Sequence, residues 1–131
     1  MKQIPWDDQA RELMQPSADA SPWAMVEGFE NAMHGAHLWQ IDQGGACVLL
    51  ALRGVQLAHG RLLDVVGMRS VGDRFQAAQL GPVVEGIART FYEGVDLLSM
   101  CTRHAHLVRA CERQGWAAVA QIVNKPLRLA T

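Results

Sequence analysis

The chain has 131 residues, and we expect residues 1–131 to form a single domain. Hydrophobic residues make up 50% and charged residues 19%, which supplies a core and excludes global disorder. The formal charge of -1 argues against a general nucleic-acid or acidic-membrane surface, and no apolar run reaches the ~18 residues of a membrane span.

The cysteines predict a reducing, cytoplasmic environment. Cys47, Cys101 and Cys111 make an odd number, none forms a CxxC pair, and each lies among apolar residues. The N-terminus turns acidic at Asp7 and Asp8, which is not typical of a signal peptide.

Two helices are predicted near the N-terminus. Residues 7–14 favour one or two helical turns that Pro16 ends. A second helix begins at Ser21, whose hydroxyl can accept a first-turn N–H, and apolar residues recur at three- and four-residue spacing until Gly35 ends it.

Three strands follow. Residues 36–42 form the first, and the paired glycines after Gln43 indicate a hairpin turn. Residues 46–52 are continuously apolar, as expected of a strand that is covered on both faces. A turn or bulge lies between Gly54 and Gly60, and residues 61–68 form the third strand.

The second half alternates helices and strands. A helix is predicted over residues 73–93, with a kink or restart at Gly81-Pro82. A strand over residues 95–101, a helix over residues 103–114 and a last strand over residues 116–123 complete the fold. The order predicts an α/β class with a mixed sheet, in which the strand–helix–strand unit of residues 61–101 is parallel and right-handed.

This order of elements resembles the GNAT (GCN5-related N-acetyltransferase) family over nearly the whole chain. The best local match is residues 95–101 followed by residues 104–116, where Gly115-Trp116 stands in place of the family's usual Gly-Phe. The resemblance implies a GNAT-like single domain with a mixed central sheet flanked by helices. It also implies transfer of an acetyl group from acetyl-CoA, as co-substrate, to a small-molecule or protein amine.

Such chemistry needs backbone N–H donors for the CoA diphosphate and a donor, often at a strand bulge, for the thioester oxygen. The family's diphosphate pattern is Gln or Arg, two residues, Gly, one residue, then Gly or Ala. Arg69 and Gly72 match this pattern, whereas Arg74 replaces the last small residue and Asp73 adds a negative charge. The candidate binding residues are Arg69, Val71, Gly72, Asp73 and Arg74, and the alternative is a plain strand-to-helix turn.

The resemblance also suggests three further side chains. Asp64 lies where family members often carry a carboxylate that acts as general base, and a solvent-facing strand residue is the alternative. Cys111 stands at the position of the family's tyrosine acid and could equally be a buried apolar residue. His104 stands at the usual asparagine position in the cofactor site, and otherwise belongs to the helix cap or the core edge.

A narrower resemblance is to small GNAT-like proteins of short-tailed bacteriophages, including internal virion proteins. Residues 47–54 carry it, as a Cys-Val-x-Leu-x-Leu strand with a following Gly turn, together with His106 and Arg109 in the later segment. It implies an alternative function: a catalytically degenerate structural or host-interaction protein in the host cytoplasm or virion. Its partner would be a virion or host protein, and a homodimer is a further expectation.

Other classes of site find less support in the sequence. His34 and His37 have HxxH spacing, but Gly35 lies between them and further ligands are needed, so no metal site is expected. Neither a nucleic-acid nor a membrane partner is expected. No GxSxG signature of a nucleophilic serine is present.

Overall fold

The structure, a computed structural model, describes residues 1–127. None of the helices in that range is long and apolar enough to cross a membrane. The elements in chain order are β1 (Lys2–Ile4), α1 (Asp8–Asp19), α2 (Phe29–Ala32), β2 (His37–Gln43), β3 (Ala46–Leu57), β4 (Gly60–Gly72), α3 (Ala77–Phe91), β5 (Leu97–Met100) and α4 (Ala105–Glu112).

The five described strands form one mixed sheet in the order β1-β2-β3-β4-β5. Neighbouring strands from β1 to β4 are antiparallel, and β4 and β5 are parallel. The predicted α/β class with a mixed sheet is therefore confirmed, as is the parallel strand–helix–strand unit. The hairpin between β2 and β3 turns at Gly44 and Gly45, where the sequence predicts it.

Helices cover both faces of the sheet, and each face has its own core. Strand β3 supplies both cores, because its side chains alternate between the faces. Val48, Leu50 and Leu52 pack with the apolar sides of α3 and α4, whereas Leu49 and Ala51 pack with α1 and residues near α2. The prediction of a strand covered on both faces is confirmed, although β3 continues past Gly54 to Leu57.

The prediction that Pro16 ends the first helix is wrong, because α1 continues to Asp19. Tertiary contacts hold the helix together on both sides of the proline. Met14 and Ala18 are buried against the sheet, and the Ser17 hydroxyl accepts the Met68 N–H of β4 at 2.9 Å. Asp7 caps the start of α1 by accepting the Ala10 N–H at 2.8 Å.

The prediction of one helix from Ser21 to Gly35 is also wrong. Only Phe29–Ala32 is helical, because Gly28 adopts an extended conformation immediately before it. Residues 21–27 form a compact hydrogen-bonded loop instead, and the expected apolar stripe is interrupted because Trp23 and Val26 are exposed. Gly35 has a φ of 71°, but α2 already ends at Ala32 with Met33 as its C-cap, so Gly35 belongs to the turn after the helix and does not end it as predicted.

The elements of the second half are present but shorter than predicted, with one exception. The exception is the last strand over residues 116–123, which is wrong: α4 is followed by a segment without helix or strand up to residue 127. The backbone N–H of Trp116 donates to Cys111, and the amide of Asn124 donates to the Pro22 carbonyl. Held at these points, the segment makes no ladder with β5, and Val119 and Val123 remain exposed.

The core on the α3 and α4 side should dominate stability. Leu63 of β4 is fully buried there, so Leu63→Ala is expected to lower the free energy of unfolding by about 2–5 kcal/mol, through lost burial and a residual cavity. Leu57→Ala, at a side chain that is 53% exposed, is the control and should cost far less. Urea denaturation of the two variants measures this, and equal losses would contradict the assigned core.

Hydrogen exchange can check the C-terminal segment. The amides of residues 117–123 have no strand partner among the described residues, so they should exchange about a thousandfold or more faster than those of residues 48–52 in β3. Mass spectrometry of short proteolytic fragments would resolve the two segments. Comparable protection would show that residues 117–123 pair as a strand after all.

Candidate functional site

Strands β4 and β5 share a short ladder and then separate. Their pairing runs from Leu62 opposite Leu97 to Val65 opposite Met100, where β5 ends. Strand β4 continues to Gly72, still paired with β3 on its other side. A cleft therefore opens beyond Val65, at the carboxyl ends of the two parallel strands.

A bulge in β4 lies at the start of this opening. The β3–β4 register steps from Leu52 opposite Val65 to Ala51 opposite Gly67, which leaves Val66 without a cross-strand partner. A bulge of this kind bends the strand and removes one residue from the ladder. Val66 and Gly67 both line the cleft, so the irregular backbone forms part of its wall.

The cleft encloses about 530 Å³. Three parts of the chain form its walls: the end of α1 with the loop and helix that follow, strands β3 and β4 at Arg53 and residues 64–69, and residues 100–104 at the end of β5. Asp64, Arg69 and His104 are the sequence-predicted site residues that the structure brings together here.

Asp64 is half-buried in the cleft wall, two residues before the unpaired Val66. Burial raises the pKa of its carboxyl above the ordinary value, and the positive charge of Arg53 acts in the opposite direction. Arg53 lies opposite Asp64 in the β3–β4 ladder and donates a hydrogen bond to the His34 carbonyl at 3.2 Å. The carboxyl thus faces the cleft rather than open solvent.

The segment predicted as a diphosphate turn is strand up to Gly72, because β4 extends beyond its predicted end at residue 68, and several donors of the segment are used within the protein. The Arg69 guanidinium donates to the Leu13 carbonyl of α1 at 3.1 Å. The Asp73 N–H donates to the Gly45 carbonyl at 3.1 Å, and the Phe75 N–H to the Ser70 hydroxyl at 3.2 Å. Those two N–H groups are therefore not free to receive an anion in this arrangement.

The remainder of the turn is more open. Gly72 has a φ of 79°, which favours glycine, while Val71 packs at the edge of the core against α1. Arg74 is exposed, and α3 begins after Gln76 with no side-chain cap in the part of the chain that the structure describes. Uncapped first-turn N–H groups and a neighbouring arginine suit an anion.

Cys111 and His104 lie in different environments. Cys111 is 4% exposed, belongs to the core formed with α3, and does not line the cleft. Burial raises the pKa of its thiol, as expected of an apolar packing residue. His104 does line the cleft, at the first position before α4, and its N–H donates to the Thr102 hydroxyl at 3.1 Å.

Tyr92 and His37 meet outside the cleft. The Tyr92 hydroxyl accepts the indole N–H of Trp39 at 3.0 Å and lies 3.1 Å from Nδ1 of His37. Burial raises the pKa of Tyr92. Within residues 1–127, no three His, Cys, Asp or Glu side chains come together in a group that could hold a metal ion.

Sequence reasoning did not single out the loop residues Trp23 and Glu27 or the strand residue Arg53, all of which line the cleft. Counting the register from the turn between Leu57 and Gly60 would have placed Arg53 opposite Asp64, because the bulge lies beyond this pair. The two loop residues carry no comparable signal, because the helical pattern there is not realised.

Comparisons with known proteins bear on the fold alone. No protein-family model matches the chain, and a search of curated proteins finds no match. Two solved structures of TTHA1254 from Thermus thermophilus match over 100% of both chains at 14% identity, with TM-scores of 0.55 for the I68M mutant and 0.50 for the wild type. At that identity the similarity shows a shared fold and carries no activity to this chain.

Because the pKa of Asp64 is raised, we expect this carboxyl to make stability depend on pH. The pKa of Asp64 is about 3.9 in the unfolded chain and higher in the native state. Between these two pKa values the native state binds more protons than the unfolded state. The free energy of unfolding therefore falls as pH rises through this range. Asp64→Asn removes this contribution. The variant should be more stable than the wild type at neutral pH, and the difference should shrink towards pH 4.

Urea denaturation at a series of pH values measures the effect. Glu112→Gln, at an exposed carboxylate that does not line the cleft, is the matched control and should not change the slope with pH. A stability difference between Asp64→Asn and the wild type that is the same at every pH would contradict the buried position of the carboxyl.

Proposed function

We propose that this protein is a GNAT-like acyltransferase that transfers an acetyl group from acetyl-CoA to an amine. The observation that carries the proposal is the unpaired residue Val66, which lies where parallel strands separate and two residues after a half-buried carboxylate. The order of elements from β1 to α4 is also similar to that of the GNAT family. The family's final strands have no counterpart among the described residues.

The acyl group would lie against the bulge. In the register, the backbone of Val66 is outside the β3 ladder, so its N–H could donate to the thioester oxygen and stabilise the negative charge that develops there. Met68, two residues later, directs its N–H to the Ser17 hydroxyl of α1 rather than to β3. The hydrogen bond from Met68 to α1 shows that β4 directs a backbone donor away from β3 on this side of the opening, and we assign the same direction to the Val66 N–H.

Asp64 would act as the general base. Its carboxylate takes a proton from the ammonium form of the acceptor, and the neutral nitrogen attacks the thioester carbonyl carbon. The carbon–sulfur bond then breaks, and the second proton of the nitrogen passes through water to the CoA thiolate, which yields the amide and the CoA thiol. Asp64 finally releases its own proton to solvent. Cys111 has no place in this sequence, because it is buried in the core and does not line the cleft.

The diphosphate of the donor would be held at the start of α3. The N–H groups of Ala77 and Ala78, where no side chain caps the helix, and the exposed guanidinium of Arg74 would supply donors and positive charge. Arg74 would thus act as a ligand at the position where the family usually has a small residue. His104, on the other side of the cleft, would contact the remainder of the donor.

Hydrogen bonds already made within the protein favour the alternative function. In this alternative the chain is a GNAT-like phage-type structural or host-interaction protein without transferase activity. Arg69 and the N–H groups of Asp73 and Phe75 are already bonded within the protein, which leaves fewer donors for a diphosphate. In that case the cleft would be a remnant, and a virion protein, a host protein or a second copy would be the partner.

Isothermal titration with acetyl-CoA distinguishes the two functions. We expect saturable binding to the folded wild type and a loss of affinity of about tenfold in Arg74→Glu, since the variant places negative charge beside the diphosphate. Arg113→Glu, at an exposed arginine outside the cleft, is the matched control. No binding at millimolar acetyl-CoA would rule out the transferase and favour the alternative.

Turnover tests the role of Asp64 separately. With a panel of amines and a thiol-release assay, Asp64→Asn should lower kcat by about 10²- to 10⁴-fold while the affinity for acetyl-CoA stays near that of the wild type. Cys111→Ser should reduce stability more than it reduces kcat, because Cys111 packs in the core. An Asp64→Asn variant with full activity would remove Asp64 from the mechanism.

A further inference from the structure

We propose that the acceptor is a small alkyl amine that carries a second cationic group, which Glu27 and Trp23 bind while the reacting amine lies at Asp64. This inference rests on the proposed function, because it names the substrate class of the same cleft. Four observations support it: the organisation of the loop, the Oε2 atom of Glu27 that accepts no hydrogen bond from residues 1–127, the exposed indole of Trp23, and the distribution of charge across the cleft.

The loop that carries Glu27 and Trp23 is organised by its own hydrogen bonds. The Ser21 hydroxyl accepts the Trp23 N–H at 3.2 Å and donates to the Glu27 carboxylate at 2.7 Å. The Glu27 N–H donates to the Trp23 carbonyl at 3.0 Å. From outside, the Asn124 amide donates to the Pro22 carbonyl. The Glu27 carboxylate and the backbone of Trp23 are therefore positioned before any ligand arrives, which lowers the entropic cost of binding.

One oxygen atom of the Glu27 carboxylate can still accept a hydrogen bond from a bound cation. Its Oε1 atom accepts the Ser21 hydroxyl, and within residues 1–127 no hydrogen bond is made to Oε2. The side chain is half-buried and lines the cleft, so a cation there would meet a carboxylate with reduced access to water. Reduced solvent access strengthens such a pair relative to one on the open surface.

Trp23 adds an aromatic surface to the same loop. Its side chain is 50% exposed even though it lines the cleft, and it contributes to neither core. An exposed indole beside a carboxylate suits an alkylammonium group, which packs its methylenes against the ring and its charge over the ring face.

The charges that face the cleft are divided between its walls. Glu27 and Asp64 belong to the loop and to β4, and they are the carboxylates that line the cleft. Arg103 and His104 follow β5, on the side of α4. The remaining basic residues, Arg53 and Arg69, donate to backbone carbonyls of residues 34 and 13. A cationic acceptor therefore fits the loop side, where Glu27 lies on a different wall from Arg103 and His104.

A binding experiment without turnover tests the inference. The probes are 1,5-diaminopentane and pentylamine, which share a chain length and differ in the second amine, titrated at neutral pH into the protein with and without CoA. We expect the wild type to bind the diamine about five- to tenfold more tightly than the monoamine. Glu27→Gln should abolish that preference, and Trp23→Leu should weaken binding of both amines.

Glu112→Gln is the charge-matched control and should preserve the preference. Equal affinity for the two amines, a preference that survives Glu27→Gln, or no binding of either amine with or without CoA would each overturn the inference. Thermal midpoints of the variants report whether they are folded. If acetyl-CoA fails to bind while the diamine preference persists, the proposed transferase is wrong and the cation site stands, so the two failures are distinguishable.

Discussion

The site depends on how β4 leaves its parallel neighbour while the backbone N–H of Met68 gains a partner from α1. Beyond Val65, β3 continues to pair with β4 on one side, and on the other side α1 replaces β5. The Ser17 hydroxyl accepts the Met68 N–H, and the Arg69 guanidinium donates to the Leu13 carbonyl. Unpaired buried backbone groups are costly, so this substitution by a helix is what allows the opening to exist.

The same constraint explains features of α1 that its own sequence argues against. A helix should end or bend at Pro16, yet it extends to Asp19 because Met14 and Ala18 are buried and Ser17 is bonded to the sheet. The extension brings the end of α1 and the loop after it over the cleft. Helix α1 thus supports β4 and forms one wall of the site.

The electrostatics of the cleft are set by the half-burial of one carboxyl. Half-burying Asp64 beside an irregular backbone disfavours its charged form, which costs stability, and Arg53 across the ladder recovers part of that cost. Residues 71–74 do not line the cleft, and the N–H groups of Asp73 and Phe75 are bonded within the protein.

The sequence by itself determined the order of most elements, the hairpin at Gly44 and Gly45, and the two-sided burial of β3, because these follow from local turn chemistry and from alternating or continuous apolar residues. It also indicated Asp64 as a cleft residue through a family resemblance. Tertiary structure alone decided the path of the chain through Pro16, the loop of residues 21–27, the bulge at Val66 and the absence of a strand over residues 116–123. These features depend on which distant group satisfies each hydrogen bond and covers each apolar side chain. A local stretch of sequence does not determine these long-range contacts.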